Sequence, residues 1–186
     1  MPTPDWGKLM EYSLSDDDLK ECLKNPDVKI IVYPQLKSET PETLLGPGGY
    51  TVLLFLTHSM THGHWLTVLS HPGERQKIEV FDSFGTPVDG DRRWVSESKL
   101  TSLHENAPLL SEVLRVAKEQ GCEIEHNTHK FQGDSEDTCG RHVAARLMCR
   151  DKTLQEYVQH IKALQSELGC SADEVVTRMT YATLHK

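Results

Sequence analysis

Apolar positions along this chain fall into short runs, some with the period of a strand and some with that of a helix. Tyr50–His58 holds the nearly unbroken stretch Thr51-Val52-Leu53-Leu54-Phe55-Leu56-Thr57, with the length and β-branched content of a strand covered on both faces. Ser59–Gly63 breaks the run. His64–Ser70 and Lys77–Ser83 follow as two further strands, and His71-Pro72-Gly73-Glu74 between them is good turn chemistry. These two strands are expected to form an antiparallel hairpin, which brings the start of one, His64, beside the end of the other, Asp82. Val28–Tyr33, bounded by Pro26 and Pro34, reads as a shorter strand, and Cys122–His126 as an edge strand.

Helical spacing takes over elsewhere. Ser15 opens a helix that runs to about Lys24 and stops at Asn25-Pro26; Asp18 completes a capping box, and Leu14 with Leu19 makes a hydrophobic staple. Ala107–Gln120 carries Leu109, Leu110, Val113, Leu114 and Ala117 on one stripe, with Pro108 near its start and Gly121 at its end. Thr153–Leu168 and Ser171–Tyr181 close the chain as two helices, the second with Ser171 and Glu174 at capping-box spacing. The polar loop from Phe131 to Thr138 runs into a helix that begins at Cys139. Its apolar face is Val143, Leu147 and Met148, which leaves Arg141, Arg146 and Arg150 for solvent. Residues 1–13 read as an extended lead-in, 34–49 as a short helical turn and a loop, and 84–106 as a polar loop with a short helix. Strands and helices are mixed without a regular alternation, so the fold class is α+β. One domain is expected over 1–186, with its core at about 10–150 and C-terminal helices at about 152–182.

Composition narrows the function. With 186 residues, 37% of them hydrophobic and 26% charged, the chain has the make-up of a globular domain with its own core. Its net charge of −8 argues against a protein built to grip nucleic acid, and no Lys/Arg run exceeds Arg92-Arg93. No apolar run approaches the roughly 20 residues of a membrane span, and the first residues lack the pattern of a secretory signal. Cys22, Cys122, Cys139, Cys149 and Cys170 are scattered without any Cys-x-x-Cys, which favours a reducing, intracellular setting over a disulfide framework or zinc ribbon. His58, His62 and His64 are close together, but no acidic or Cys partner stands at a ligand spacing. No metal or other cofactor is expected.

The candidate chemistry centres on Cys139. A thiol in the first turn of a helix feels the positive end of the helix dipole and unpaired backbone N–H groups. Both favour thiolate, the nucleophilic form. Gly140 removes a side chain next to the sulfur, which suits close approach of a substrate backbone. A cysteine at a helix start is more commonly a small buried hydrophobe. Likewise His64 alone is a strand-edge histidine, Asp82 a turn cap before Gly85, and Gln132 a loop amide. Together they supply nucleophile, base, orienting carboxylate and oxyanion donor for cysteine acyl transfer, the last pair being the Gln132 amide and the Cys139 N–H. Asp134, Glu136 and Asp137 precede Cys139 and oppose the thiolate. An imidazolium at ~4 Å is worth about 4 kcal/mol at an effective dielectric near 20, against roughly half a kcal/mol for a solvated carboxylate twice as far away. A resting thiolate–imidazolium pair of Cys139 and His64 is therefore expected.

Gly63-His64-Trp65, Val80-Phe81-Asp82-Ser83-Phe84-Gly85, Phe131-Gln132-Gly133 and Thr138-Cys139-Gly140 in that order resemble the adenovirus-type cysteine endopeptidases. That family is akin to the SUMO- and ubiquitin-like-protein proteases and to the proteases of virophages, Polinton transposons and large DNA viruses. The resemblance covers about residues 10–150. It implies a central mixed or antiparallel sheet flanked by helices, with the nucleophile at the start of a buried helix, as in the adenain and SUMO-protease branch of papain-like cysteine proteases. It implies peptide-bond cleavage after small residues, commonly glycine, with Cys139 as nucleophile, His64 as base, Asp82 as orienter, Gln132 as oxyanion donor and Trp65 lining the cleft beside Gly140. Asp82 stands where the adenovirus enzyme has glutamate. The expected role is maturation of viral capsid or scaffold precursors inside the host cell, with packaging in the particle. Removal of ubiquitin-like modifiers, acyl transfer from acyl-coenzyme A by the same residue set, and a non-catalytic binding module are the other readings. The acidic balance speaks against activation by sliding on DNA, and Cys122 is a plain structural cysteine more readily than a disulfide partner for an activating peptide.

Overall fold

A computed structural model describes residues 4–59 and 62–184. Five strands form one sheet in the order β1 (Ile30–Val32), β2 (Tyr50–Ser59), β3 (His62–His71), β4 (Glu74–Phe81) and β5 (Glu123–His126). The three central strands are antiparallel meanders, whereas β1 joins β2 and β5 joins β4 in parallel, so the sheet is mixed. Parallel edges need crossovers. The first is made by a 3₁₀ turn (Tyr33–Ser38) and α3 (Pro41–Leu44), and the second by a 3₁₀ turn (Gly90–Trp94), α4 (Glu97–Ser102) and α5 (Leu109–Glu119).

Both sheet faces are covered, which accounts for the continuous apolar run of β2. Leu53, Phe55, Leu66, Val68, Ile78 and Val80 meet the stripe of α5 on one face. Val52, Leu54, Leu56, Trp65, Leu69 and Phe81 meet α2 (Asp16–Leu23), α6 (Cys139–Met148), α7 (Leu154–Leu168) and α8 (Ala172–Leu184) on the other. The capping box of α2 forms as expected, with Ser15 Oγ accepting from the Asp18 N–H and the Asp18 carboxylate accepting from the Ser15 N–H. Thr153 and Glu156 make the same reciprocal pair at the start of α7.

Two local expectations are corrected. The lead-in contains a short helix, α1 (Trp6–Met10), started by Asp5, whose carboxylate accepts from the Lys8 N–H; Trp6 packs edge-on against Tyr181 of α8. The second concerns α6. It has no arginine-lined solvent face over Arg141 and Arg146, because it is sandwiched between β3 and the pair α2/α8. Arg141 and Arg146 are buried, and it is Met148 that is exposed. Partners far away in sequence make this burial tolerable. Arg146 forms a bidentate pair with Glu79 of β4 at 2.8 and 2.7 Å, and its guanidinium lies over the Tyr157 ring. Arg141 donates to Thr180 Oγ1 and to the Leu9 carbonyl.

Candidate active site

Cys139 is the first residue of α6, where N–H groups have no intrahelical acceptor. The helix is held end-on by its burial, so the sulfur has little freedom. His64 comes from β3 and Asp82 from the residue after β4. The ladder between these strands ends at Thr67 with Phe81, leaving His64 and Asp82 just beyond it on adjoining strands. Their side chains meet there, His64 Nε2 standing 2.7 Å from Asp82 Oδ1, both residues buried. With Nε2 so engaged, the ring's other nitrogen is left to face Cys139, whose sulfur is near enough to act on the charge of the imidazole. Burial works against charge on His64, but the interactions with Asp82 and Cys139 outweigh it and hold its pKa well above the usual histidine value. Burial likewise opposes ionisation of Asp82, yet its bonds to His64 and the Phe84 N–H keep its pKa below the ordinary value.

The backbone around Asp82 is fixed from several sides. Asn127 accepts from the Asp82 N–H (2.8 Å) and donates to the Asp82 carbonyl (2.6 Å). The chain then turns at Gly85, whose φ of +67° and 2.9 Å clearance to the His129 backbone leave no room for a side chain. Ser83 holds Gln132: its hydroxyl donates to Gln132 Oε1 (2.6 Å), and its carbonyl accepts the Phe131 and Gln132 N–H groups. The Gln132 amide nitrogen donates to the Glu136 carbonyl and carries a second hydrogen. The sequence singled out Gln132 but missed both Ser83 and Asn127, whose roles depend on contacts 49 and 45 residues away.

A cleft of about 690 Å³ opens beside the sulfur, with Leu14, Val28, Val32, Leu54 and Trp65 among its walls. Trp65 is fixed by its indole N–H, which donates to the Leu14 carbonyl at 3.0 Å. Gly140 stands behind this wall, where a Cβ would lie 3.1 Å from both Leu14 and Trp65. Its small size lets those two pack on α6. On another side of His64 lie Phe84, tilted over the ring at 5.1 Å, and Trp94, edge-on at 6.1 Å and 46% exposed.

A second buried carboxylate, Asp173 of α8, accepts from the Gly133 N–H (2.9 Å), from the Thr138 hydroxyl and from His142 Nε2 (3.0 Å). It thus ties together both ends of the loop between Gln132 and Cys139. Nothing in the sequence pattern marked Asp173 or His142. Asp91, from the 3₁₀ turn before α4, was also missed; it is buried next to Asp82. Among the described residues, His64, Asp82 and Asp91 are the one trio whose donor atoms all lie within 4.8 Å of one another. The short His64–Asp82 contact is a hydrogen bond. His58 and His62 do not join His64 in such a group; His58 Nδ1 pairs with Thr57 Oγ1. All five cysteines are free thiols, and no helix among the described residues is long and apolar enough to cross a membrane.

Fold and site together define an α+β protein whose central helix presents a cysteine to a histidine–aspartate pair. No family model matches the chain. It is 31% identical over 173 residues to the uncharacterized protein V9 of Sputnik virophage, a match covering 91% of this chain and 95% of that protein. The chain belongs to the family of this virophage protein.

Proposed function

We propose that the protein is a cysteine endopeptidase of the adenovirus type, cleaving after small residues and acting on capsid or scaffold precursors during virion assembly. The observation that carries this reading is the His64–Asp82 pair at 2.7 Å set near Cys139 at the start of a buried helix, beside an open cleft. Cys139 Sγ attacks the scissile carbonyl carbon. His64 gives its proton to the departing amine, then takes one from the water that hydrolyses the thioester. Asp82 fixes the imidazole so that one nitrogen faces the sulfur. The developing oxyanion accepts from the Cys139 N–H and from the second hydrogen of the Gln132 amide. Trp65 narrows the cleft and favours small residues at the scissile position. Kinship with a virophage protein supports a substrate among the particle's own proteins.

Co-expression with a capsid protein of the same virus tests the proposal, comparing wild type with Cys139→Ala. The expected outcome is precursor cleavage by wild type alone. An identical band pattern in both removes the maturation role. Labelling of Cys139 by a ubiquitin or SUMO vinyl sulfone would redirect the reading to modifier proteases.

A further inference from the structure

Asp82 uses one carboxyl oxygen fully and leaves the other idle. Oδ1 accepts from His64 Nε2 and from the Phe84 N–H, whereas Oδ2 is buried without a hydrogen-bond partner, with the unpaired Thr86 hydroxyl and Asp91 as the groups beside the carboxylate. Asp91 is buried beside it, and its Oδ1 is orphaned too. Two buried carboxylates at this separation repel strongly when both are ionised. Among the described residues the one cation facing Asp91 is His64, which Asp82 already engages. Arg92 is bound to the carbonyls of Glu105 and Asn106, and Arg93 lies over the Trp94 ring. Asp89, the charge facing it besides Asp82 and His64, is itself acidic and is held by the Tyr33 hydroxyl and the Ser111 N–H.

We propose that Asp91 is a positioning residue that carries a proton and donates it to Asp82 Oδ2, extending the Cys139–His64–Asp82 chain by one neutral carboxyl. The inference rests on reading His64 as base and Asp82 as its orienter. One proton satisfies both orphaned oxygens and leaves a single negative charge to face the imidazole. The geometry is rigid, because the turn bearing Asp91 is packed through Trp94 against His64 and Phe84. Burial and the charge of Asp82 push Asp91 up to about 7. Near neutral pH the proton therefore begins to leave, and repulsion then loosens Asp82 from its place against His64.

Infrared difference spectra read the proton directly, without any peptidase activity. Two carbonyl stretches of protonated carboxyls, those of Asp91 and Glu105, are expected at pH 6 in wild type, both titrating near pH 7, and Asp91→Asn should remove one of them. Identical bands in wild type and Asp91→Asn overturn the proposal. Alkylation of Cys139 by iodoacetamide reads the positioning. Asp91→Asn keeps a donor for Asp82 and should react like wild type at pH 6, without the inflection near pH 7. Asp91→Ala leaves Oδ2 unpaired and should react about tenfold more slowly or worse. Equal rates for the two variants also overturn it. If Asp91→Ala fails to fold, the spectra of wild type and Asp91→Asn decide alone. Should wild type cleave no protein, the protease reading falls while the spectra still decide the role of Asp91.

Discussion

Ser83 follows Asp82 directly, so one dipeptide serves both halves of the candidate site: Asp82 turns to His64 and Ser83 to Gln132. The Glu136 carbonyl settles which way the Gln132 amide faces, since it can only accept and so takes the amide nitrogen, leaving the oxygen to accept from Ser83. Gln132→Ala is expected to lower turnover on a cleavable peptide roughly 10²–10³-fold. Ser83→Ala, which only frees the amide to rotate, should cost about tenfold. The His64 imidazolium has a defined pH signature as well. Its native pKa is raised above the unfolded value near 6.5, so its contribution to stability is complete below about pH 6.5 and is lost as pH rises through the native value. Apart from the inflection that Asp91 imposes near pH 7, Cys139 alkylation should accordingly vary little between about pH 5 and 8. A rate that climbs like that of an ordinary thiol would speak against the ion pair.

At the scale of elements, α6 is the unusual one. Its sequence has a modest apolar stripe and two arginines, with Arg150 just past its end, a pattern that reads as a surface helix. Glu79, on a strand 67 residues earlier, reverses that reading by offering Arg146 a bidentate partner inside the core. Removing one member leaves the other as an uncompensated buried charge. Glu79→Gln and Arg146→Met are each expected to lower unfolding free energy by about 3–5 kcal/mol, and the double variant by clearly less than their sum; urea titration of the four proteins checks this. The α2 and α5 helices were legible in advance because their caps and stripes are local features, whereas the α1 helix was not: five residues with Gly7 inside show no periodicity.

Across the whole molecule, the C-terminal helices form part of the site's support. Asp173 on α8 fastens the loop between Gln132 and Cys139, and Thr180 on α8 receives Arg141 of α6. A chain truncated after Lys152 should therefore expose the outer side of α6 and fail to yield a cooperatively folding protein, as circular dichroism melting would show. Buried carboxyls set the global pH response. Glu105 is buried with one oxygen accepting from the Leu56 N–H, and burial pushes its pKa up to about 7. The unfolded carboxyl ionises near 4.3. Stability is thus full below that value and falls as pH rises toward 7. Glu105→Gln is expected to melt higher than wild type at pH 8, by on the order of 1–3 kcal/mol in unfolding free energy, with the advantage shrinking toward pH 5.

The sequence by itself determined the order of the strands and of the longer helices, the hairpin that puts His64 next to Asp82, and the placement of Cys139 at a helix start. Those follow from local periodicity, capping chemistry and turn residues, which act over a few positions. Tertiary structure alone decided that α6 is buried on every side, that Gly140 makes room for Leu14 and Trp65, and that Asp91, Ser83, Asn127 and Asp173 converge on the site. Those side chains lie in loops or on helices where their type is unremarkable. Their meaning arises from desolvation and from hydrogen bonds between distant segments, and neither leaves a periodic trace along the chain.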